Sequence, residues 1–110
     1  MSSVLASQQR NRGDAFYAAA TKKLAERTWI ASSTERKNEE AAGLFEQAAN
    51  AFKVAGADKE AGDSYAKAAE VYTDKLNNVL DGSKCWASAG TVLRSNAYFD
   101  YDYSISHSRL

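Results

Sequence analysis

Phe45-Glu46-Gln47-Ala48-Ala49-Asn50-Ala51-Phe52 is the stretch that decides the fold, because it returns twice. It comes back as Tyr65-Ala66-Lys67-Ala68-Ala69-Glu70-Val71-Tyr72 and, more loosely, as Trp86-Ala87-Ser88-Ala89-Gly90-Thr91-Val92-Leu93. Each copy is an aromatic residue, two small residues, then an aromatic or aliphatic one. The copies recur at roughly 20 residues, the length of a helix plus its turn. A small residue stands one turn ahead of each: Ala41, Ala61 and Gly82. Large and small side chains alternating at steps of four and three make one stripe along a helix. Helices that repeat this way stack side by side, and two of them make a unit of roughly 40 residues, the size of helical solenoid repeats. The pattern predicts a binding scaffold rather than a catalyst, with the aromatic cassettes as core.

Outward from the repeats, helix boundaries follow from capping chemistry. A first helix is predicted from about Asp14 to Arg27, where Gly13, Tyr17, Ala20 and Leu24 keep the same rhythm and Lys22, Lys23, Glu26 and Arg27 form the wet side. The Thr28-Trp29-Ile30-Ala31-Ser32-Ser33-Thr34 break offers hydroxyls for capping, and Glu35 follows where an acid favours a helix start. The second helix is predicted from Glu35 to Ala55, stopping at Gly56, a residue suited to the left-handed C-terminal position. Asp58 is the expected cap of a third helix from Lys59 to Leu76, which Asn77-Asn78 ends. A fourth helix is predicted from Val79 to Ser95. The fold class is therefore all-α: antiparallel hairpins stacked as a tetratricopeptide-like right-handed solenoid. Residues 1–95 form the helical-repeat domain. Residues 96–110 form a divergent tail, whose Tyr98-Phe99-Asp100-Tyr101-Asp102-Tyr103 run is expected to be irregular and to cap the last helix, with disorder from about Ser104.

Composition narrows the function. Fourteen Lys and Arg balance fourteen Asp and Glu over 110 residues, so no global field draws the chain to nucleic acid or acidic membranes. Proline is absent, which suits continuous helices. The single cysteine, Cys85, cannot form an internal disulfide and reads as a packing residue, and a reducing intracellular compartment is the expectation. No run approaches membrane-spanning length. Catalysis finds little support: the only histidine is His107 in the tail, no glycine-rich phosphate loop occurs, and one Asp100-x-Asp102 pair is too little for a calcium loop. Neither a cofactor nor a metal is expected.

Three stretches resemble a known family. Asn38-Glu39-Glu40-Ala41-Ala42-Gly43-Leu44-Phe45-Glu46-Gln47-Ala48-Ala49-Asn50-Ala51-Phe52-Lys53 is similar to the first repeat of the soluble NSF attachment proteins, the SNAP adaptors of membrane fusion. Ala61-Gly62-Asp63-Ser64-Tyr65-Ala66-Lys67-Ala68-Ala69-Glu70 resembles the next helix and favours the alpha type, and Cys85-Trp86-Ala87-Ser88-Ala89-Gly90 the one after it. The resemblance covers about Asp14 to Arg94.

It implies an adaptor, not an enzyme, cytoplasmic and peripherally membrane-associated. Its partners would be an assembled SNARE bundle and, where the family C-terminus exists, the NSF ATPase that takes the bundle apart. The family's membrane-contact loop lies between the first two helices, a position held here by Trp29 and Ile30. Tryptophan suits the headgroup level of a bilayer. Lys53, Lys67 and Arg94 match or lie near polar positions of the family and are the SNARE-binding candidates. Each has a plainer reading. Trp29 and Ile30 can pack between the first two helices as a staple, and the cations can be solvated surface. A generic tetratricopeptide-like module that binds a peptide or helix is the alternative function. Because the resemblance ends after Ser95, a truncated or N-terminal form is the expectation.

Overall fold

Alanine-rich sequence without proline leaves few residues to punctuate the chain, and Gly56 and Asn77-Asn78 do so at two of its three turns. The structure is a computed structural model that describes the backbone of residues 3–108 and the side chains of residues 3–94. Helix α1 spans Ser3–Ala25, α2 Ala31–Val54 and α3 Asp58–Glu70; a π-helical turn, Val71–Lys75, extends α3; and α4 spans Val79–Ser108. Consecutive helices are antiparallel. Lys23 meets Glu40 across α1 and α2, Tyr65 meets Asn50 across α2 and α3, and Gly62 lies under Leu93 across α3 and α4. The predicted all-α stack of helical hairpins is the architecture observed among the described residues.

Helix α2 is the keel of the stack. It buries Ala41, Ala42, Phe45, Ala48, Ala49, Ala51 and Phe52, contacting α1 on one side and α3 on the other. Alanine and glycine let the backbones approach, and the aromatics fill what remains. Phe52 lies against Gly13, where an added Cβ would come within 2.7 Å of the ring. Tyr17 meets Phe45 edge-on, with centroids 5.2 Å apart at 73°, the arrangement that places a positive ring edge on a negative face.

Gly56 ends α2 as predicted. Its φ of +79° is left-handed, its N–H donates to the Lys53 carbonyl, and the Ala57 N–H donates to the Phe52 carbonyl. That bond pair is the Schellman cap, which favours glycine because it has no Cβ to clash. Asn77, at φ +53°, makes the corresponding bend before α4. Asn78 then caps α4: its Oδ1 accepts from the Asp81 N–H at 3.1 Å, and its Nδ2 donates to the Asp81 carboxylate at 2.8 Å.

Several expectations are corrected. Helix α1 begins at Ser3 rather than Asp14, since nothing between them breaks a helix and Arg10 gains a 3.4 Å ion pair with Glu60 of α3. Helix α2 begins at Ala31. Ile30 occupies the N-cap without any side-chain capping bond, so the Ser/Thr cluster lies inside the first turn, where Thr34 Oγ1 donates to the Ile30 carbonyl. Asp58 is the first residue of α3, after Ala57 at the cap position; it acts on the helix dipole instead of capping.

Trp86 is 47% exposed, so the third cassette is not all core. Cys85, Ala89 and Val92 are buried in its place, because among the described elements α4 packs chiefly on α3 and its inward stripe is turned by one residue. Helix α4 starts at Val79 as expected and runs to Ser108 rather than stopping near Ser95, with neither glycine nor proline after Gly90 to end it. The aromatic side chains expected to cap it lie outside the described residues.

Candidate functional site

The α1–α2 connection presents the largest exposed apolar side chain among the described residues. Trp29 is 94% exposed and Ile30 64%. A staple between the helices would bury both, so packing does not account for them. Ile30 is extended, at φ −112° and ψ 131°.

The backbone that carries them is clamped. Lys37, in the second turn of α2, donates from Nζ to the Leu24 carbonyl at 3.0 Å and the Glu26 carbonyl at 3.1 Å, satisfying acceptors that the end of α1 leaves open. Lys23 bridges Glu40 at 3.1 Å and Glu26 at 3.5 Å. Its hydrogen bond to Glu40 and the nearby Glu26 charge hold its pKa above the ordinary lysine value, so it stays cationic. The Thr28 and Thr34 hydroxyls bond each other across the turn. The loop is thus a fixed mount for two apolar side chains. Lys37 gave no sign of this role in the sequence, where it reads as one more surface cation; only the α1–α2 crossing brings it to those carbonyls. Lys37→Met keeps the stem but removes both charge-assisted bonds, and is expected to cost about 1–2 kcal/mol. Hydrogen exchange should speed up at residues 26–30 and stay unchanged at residues 55–57; equal rates in the variant and the parent chain would show that the clamp is idle.

Two grooves run along the stack on opposite sides. One of about 270 Å³ lies between α1 and α3 and is lined by Asp14, Tyr17, Phe52, Glu60, Asp63 and Ser64. The other, of about 350 Å³, is lined by Lys53, Asp58, Ala87, Ser88, Thr91 and Val92. The three candidate cations divide between them. Lys53 lines the second groove, and Arg94, three residues past Thr91, continues that stripe of α4. Lys67 follows Glu60 and Asp63 at helical spacing on the acidic side, and sits 3.9 Å from Glu70. All three are exposed, but the structure does not bring them to one face.

Polar groups in the core are structural. Glu46 accepts from the Tyr72 hydroxyl at 2.7 Å and from the Cys85 thiol at 3.4 Å. Burial, reinforced by the Glu46 charge, pushes the Cys85 pKa up to about 12. The thiol stays protonated at neutral pH and is no nucleophile. Burial likewise raises Tyr65 and, more strongly, Tyr72. No group of three or more His, Cys, Asp or Glu that could hold a metal exists among the described residues. The Asp100, Asp102 and His107 side chains lie outside them. No described helix is long and apolar enough to cross a membrane.

What this arrangement offers is contact surface: a mounted apolar tip at one end of a helical stack and a groove along each side. No solved structure matches the chain significantly. A "Probable vesicular-fusion protein sec17 homolog" of Neurospora crassa is 36% identical over 63 residues, which are 57% of this chain and 22% of that protein. The chain therefore matches about a fifth of that relative's length. A family model, that of the soluble NSF attachment proteins, matches residues 11–104. With most of its length matched, the chain belongs to the soluble NSF attachment protein (SNAP) family.

Proposed function

We propose that this chain is the membrane-proximal part of an adaptor for intracellular membrane fusion, binding assembled SNARE bundles at the cytoplasmic bilayer surface. The observation that carries the reading is the mounted Trp29-Ile30 pair, whose exposure costs solubility and is offset if the tip enters a headgroup layer. Family membership supports the fusion role, as does the printed description of the Neurospora relative. Burying the two side chains contributes at most about 1.5–3 kcal/mol each. That is weak alone and becomes useful when a SNARE bundle holds the chain against the same membrane. Recruitment of the NSF ATPase belongs to the whole adaptor, of which this chain supplies the grip.

The SNARE contact is assigned to Lys53 and Arg94 on one face, or to Lys67 on the other. A rod-shaped partner lying along the stack touches one of these faces. Liposome flotation, with and without an assembled SNARE bundle anchored in the vesicles, tests the proposal. Flotation that needs the bundle and drops roughly tenfold or more in Trp29→Ser/Ile30→Ser is the expected result. Lys53→Glu/Arg94→Glu and Lys67→Glu then identify the face. Absence of flotation under all conditions would leave a generic peptide-binding helical module instead.

A further inference from the structure

Antiparallel succession places the α3–α4 turn at the same end of the stack as the α1–α2 turn, because both follow a helix running in the same direction. That second turn also exposes an apolar pair. Val79 is 63% exposed and Leu80 67%. Like the first pair it is held rather than loose, with left-handed Asn77 setting the bend and the Asn78–Asp81 bonds fixing the first turn of α4. The two turns lie one to two helix spacings apart, on the order of 10–20 Å.

Exposed cations stand around both turns. Lys22, Arg27 and Arg36 around the first turn, and Lys75 and Lys84 around the second, are exposed. None of the five has an ion-pair partner among the described residues. Of the acids nearby, Glu26 and Glu40 pair with Lys23, while Glu35, Glu39, Asp74 and Asp81 keep their charge, Asp81 being bonded only to the neutral Asn78 amide. At the opposite end the α2–α3 turn, Ala55-Gly56-Ala57, has no large apolar residue of its own, although Val54 before it is exposed, as are Val4 and Leu5 at the start of α1. Apolar pairs ringed by unpaired cations suit a surface that is apolar inside and negatively charged at its boundary.

We propose that Val79 and Leu80 form a second membrane-insertion point, entering an anionic bilayer together with Trp29 and Ile30 so that this end of the stack seats on two tips. The inference rests on the membrane contact proposed above and adds a second site to it. Two tips fix the tilt of the stack over the bilayer, which a single loop leaves free to pivot. Their partition free energies also combine, because the second insertion is intramolecular.

The test places an environment-sensitive nitrobenzoxadiazole probe at Ile30→Cys or Leu80→Cys in a Cys85→Ala chain and adds phosphatidylcholine vesicles containing phosphatidylserine and an anchored, assembled SNARE bundle. In parallel, Val79→Ser/Leu80→Ser is floated in the otherwise native chain with the same vesicles. Blue shifts at both positions are expected, together with a roughly tenfold loss of flotation in the serine variant. Both should weaken at about 0.5 M salt. A shift at position 30 alone, with flotation of the serine variant unchanged, overturns this inference and leaves the first loop as the membrane contact. No shift at either position and no flotation overturns both. If the serine substitutions abolish concentration-dependent self-association and leave flotation intact, a second copy covers the patch and the inference fails.

Discussion

Phe52→Ala is expected to cost about 3–5 kcal/mol, a large part of the roughly 5–15 kcal/mol that holds a domain of this size together. The ring is 3% exposed and belongs to the apolar cluster that also contains Ala48, Ala49, Tyr65, Ala89 and Val92. Neighbours that are mostly alanine cannot lean in to fill the void, so most of the cavity penalty remains. Gly13 faces the ring from α1, and its replacement by alanine drives a methyl to within 2.7 Å of Phe52 Cδ1 and Cε1. The better helix propensity of alanine returns about 1 kcal/mol, and overpacking removes about 1–3 kcal/mol. The overlap wins because a buried ring cannot swing aside.

The two changes therefore couple. In a Phe52→Ala background the Gly13→Ala methyl enters the space the ring left, and the double variant should be more stable than the sum of the single effects by at least about 1 kcal/mol. Urea unfolding followed by helical circular dichroism gives all four corners of the cycle. Strict additivity would mean that Gly13 and Phe52 do not hold α1 against α2.

The other large effect is alkaline destabilisation. An unfolded cysteine ionises near pH 9.0, whereas burial next to Glu46 holds the native Cys85 thiol protonated to about 12. Tyr72, bonded to the other oxygen of the same carboxylate, is raised above its ordinary 10.0 for the same reasons, burial first. Between the unfolded and native values, the unfolded chain releases protons that the native chain keeps. Stability is thus fully present below about pH 9 and falls above it, by about 1.4 kcal/mol per pH unit for the thiol from about pH 9 and by a similar amount for Tyr72 only from about pH 10. From pH 9 to 11 the thiol alone should remove about 2–3 kcal/mol. Urea midpoints measured from pH 7 to 11 should be flat and then drop, and Cys85→Ala and Tyr72→Phe should each remove part of the slope. An undiminished slope in the double variant would place the sensitivity elsewhere.

Much of the fold was legible because the cassettes state it three times. The rhythm through Phe45, Tyr65 and their alanines marks the helices that line the core, and Gly56 and Asn77-Asn78 mark two of the turns through backbone conformations few other residues adopt. Where reading failed, the physical reason can be named. Cys85 and Trp86 are adjacent and about 100° apart on a helix. Which of them turns inward depends on where α3 lies, so the periodicity could not choose between them. The π-turn at Val71–Lys75 inserts an extra residue per turn without any compositional mark, and it is in this turn that Tyr72 reaches Glu46.

The candidate surface divides in the same way. Trp29 and Ile30 stood out as apolar residues in a polar break. Val79 and Leu80 did not, since a helix start with two aliphatic residues looks like the beginning of a core stripe. What the sequence by itself determined is therefore local and periodic: helices, their stops, an apolar stripe on each, and membership of an antiparallel stack. Those depend on spacing along one chain. Only the tertiary structure decided which side of each stripe meets a neighbour, that Lys37 reaches the end of α1, that Lys53 and Lys67 lie on opposite sides, and that two apolar turns share one end. These depend on contacts between residues distant in sequence, and the interhelix packing that sets them has no period of its own.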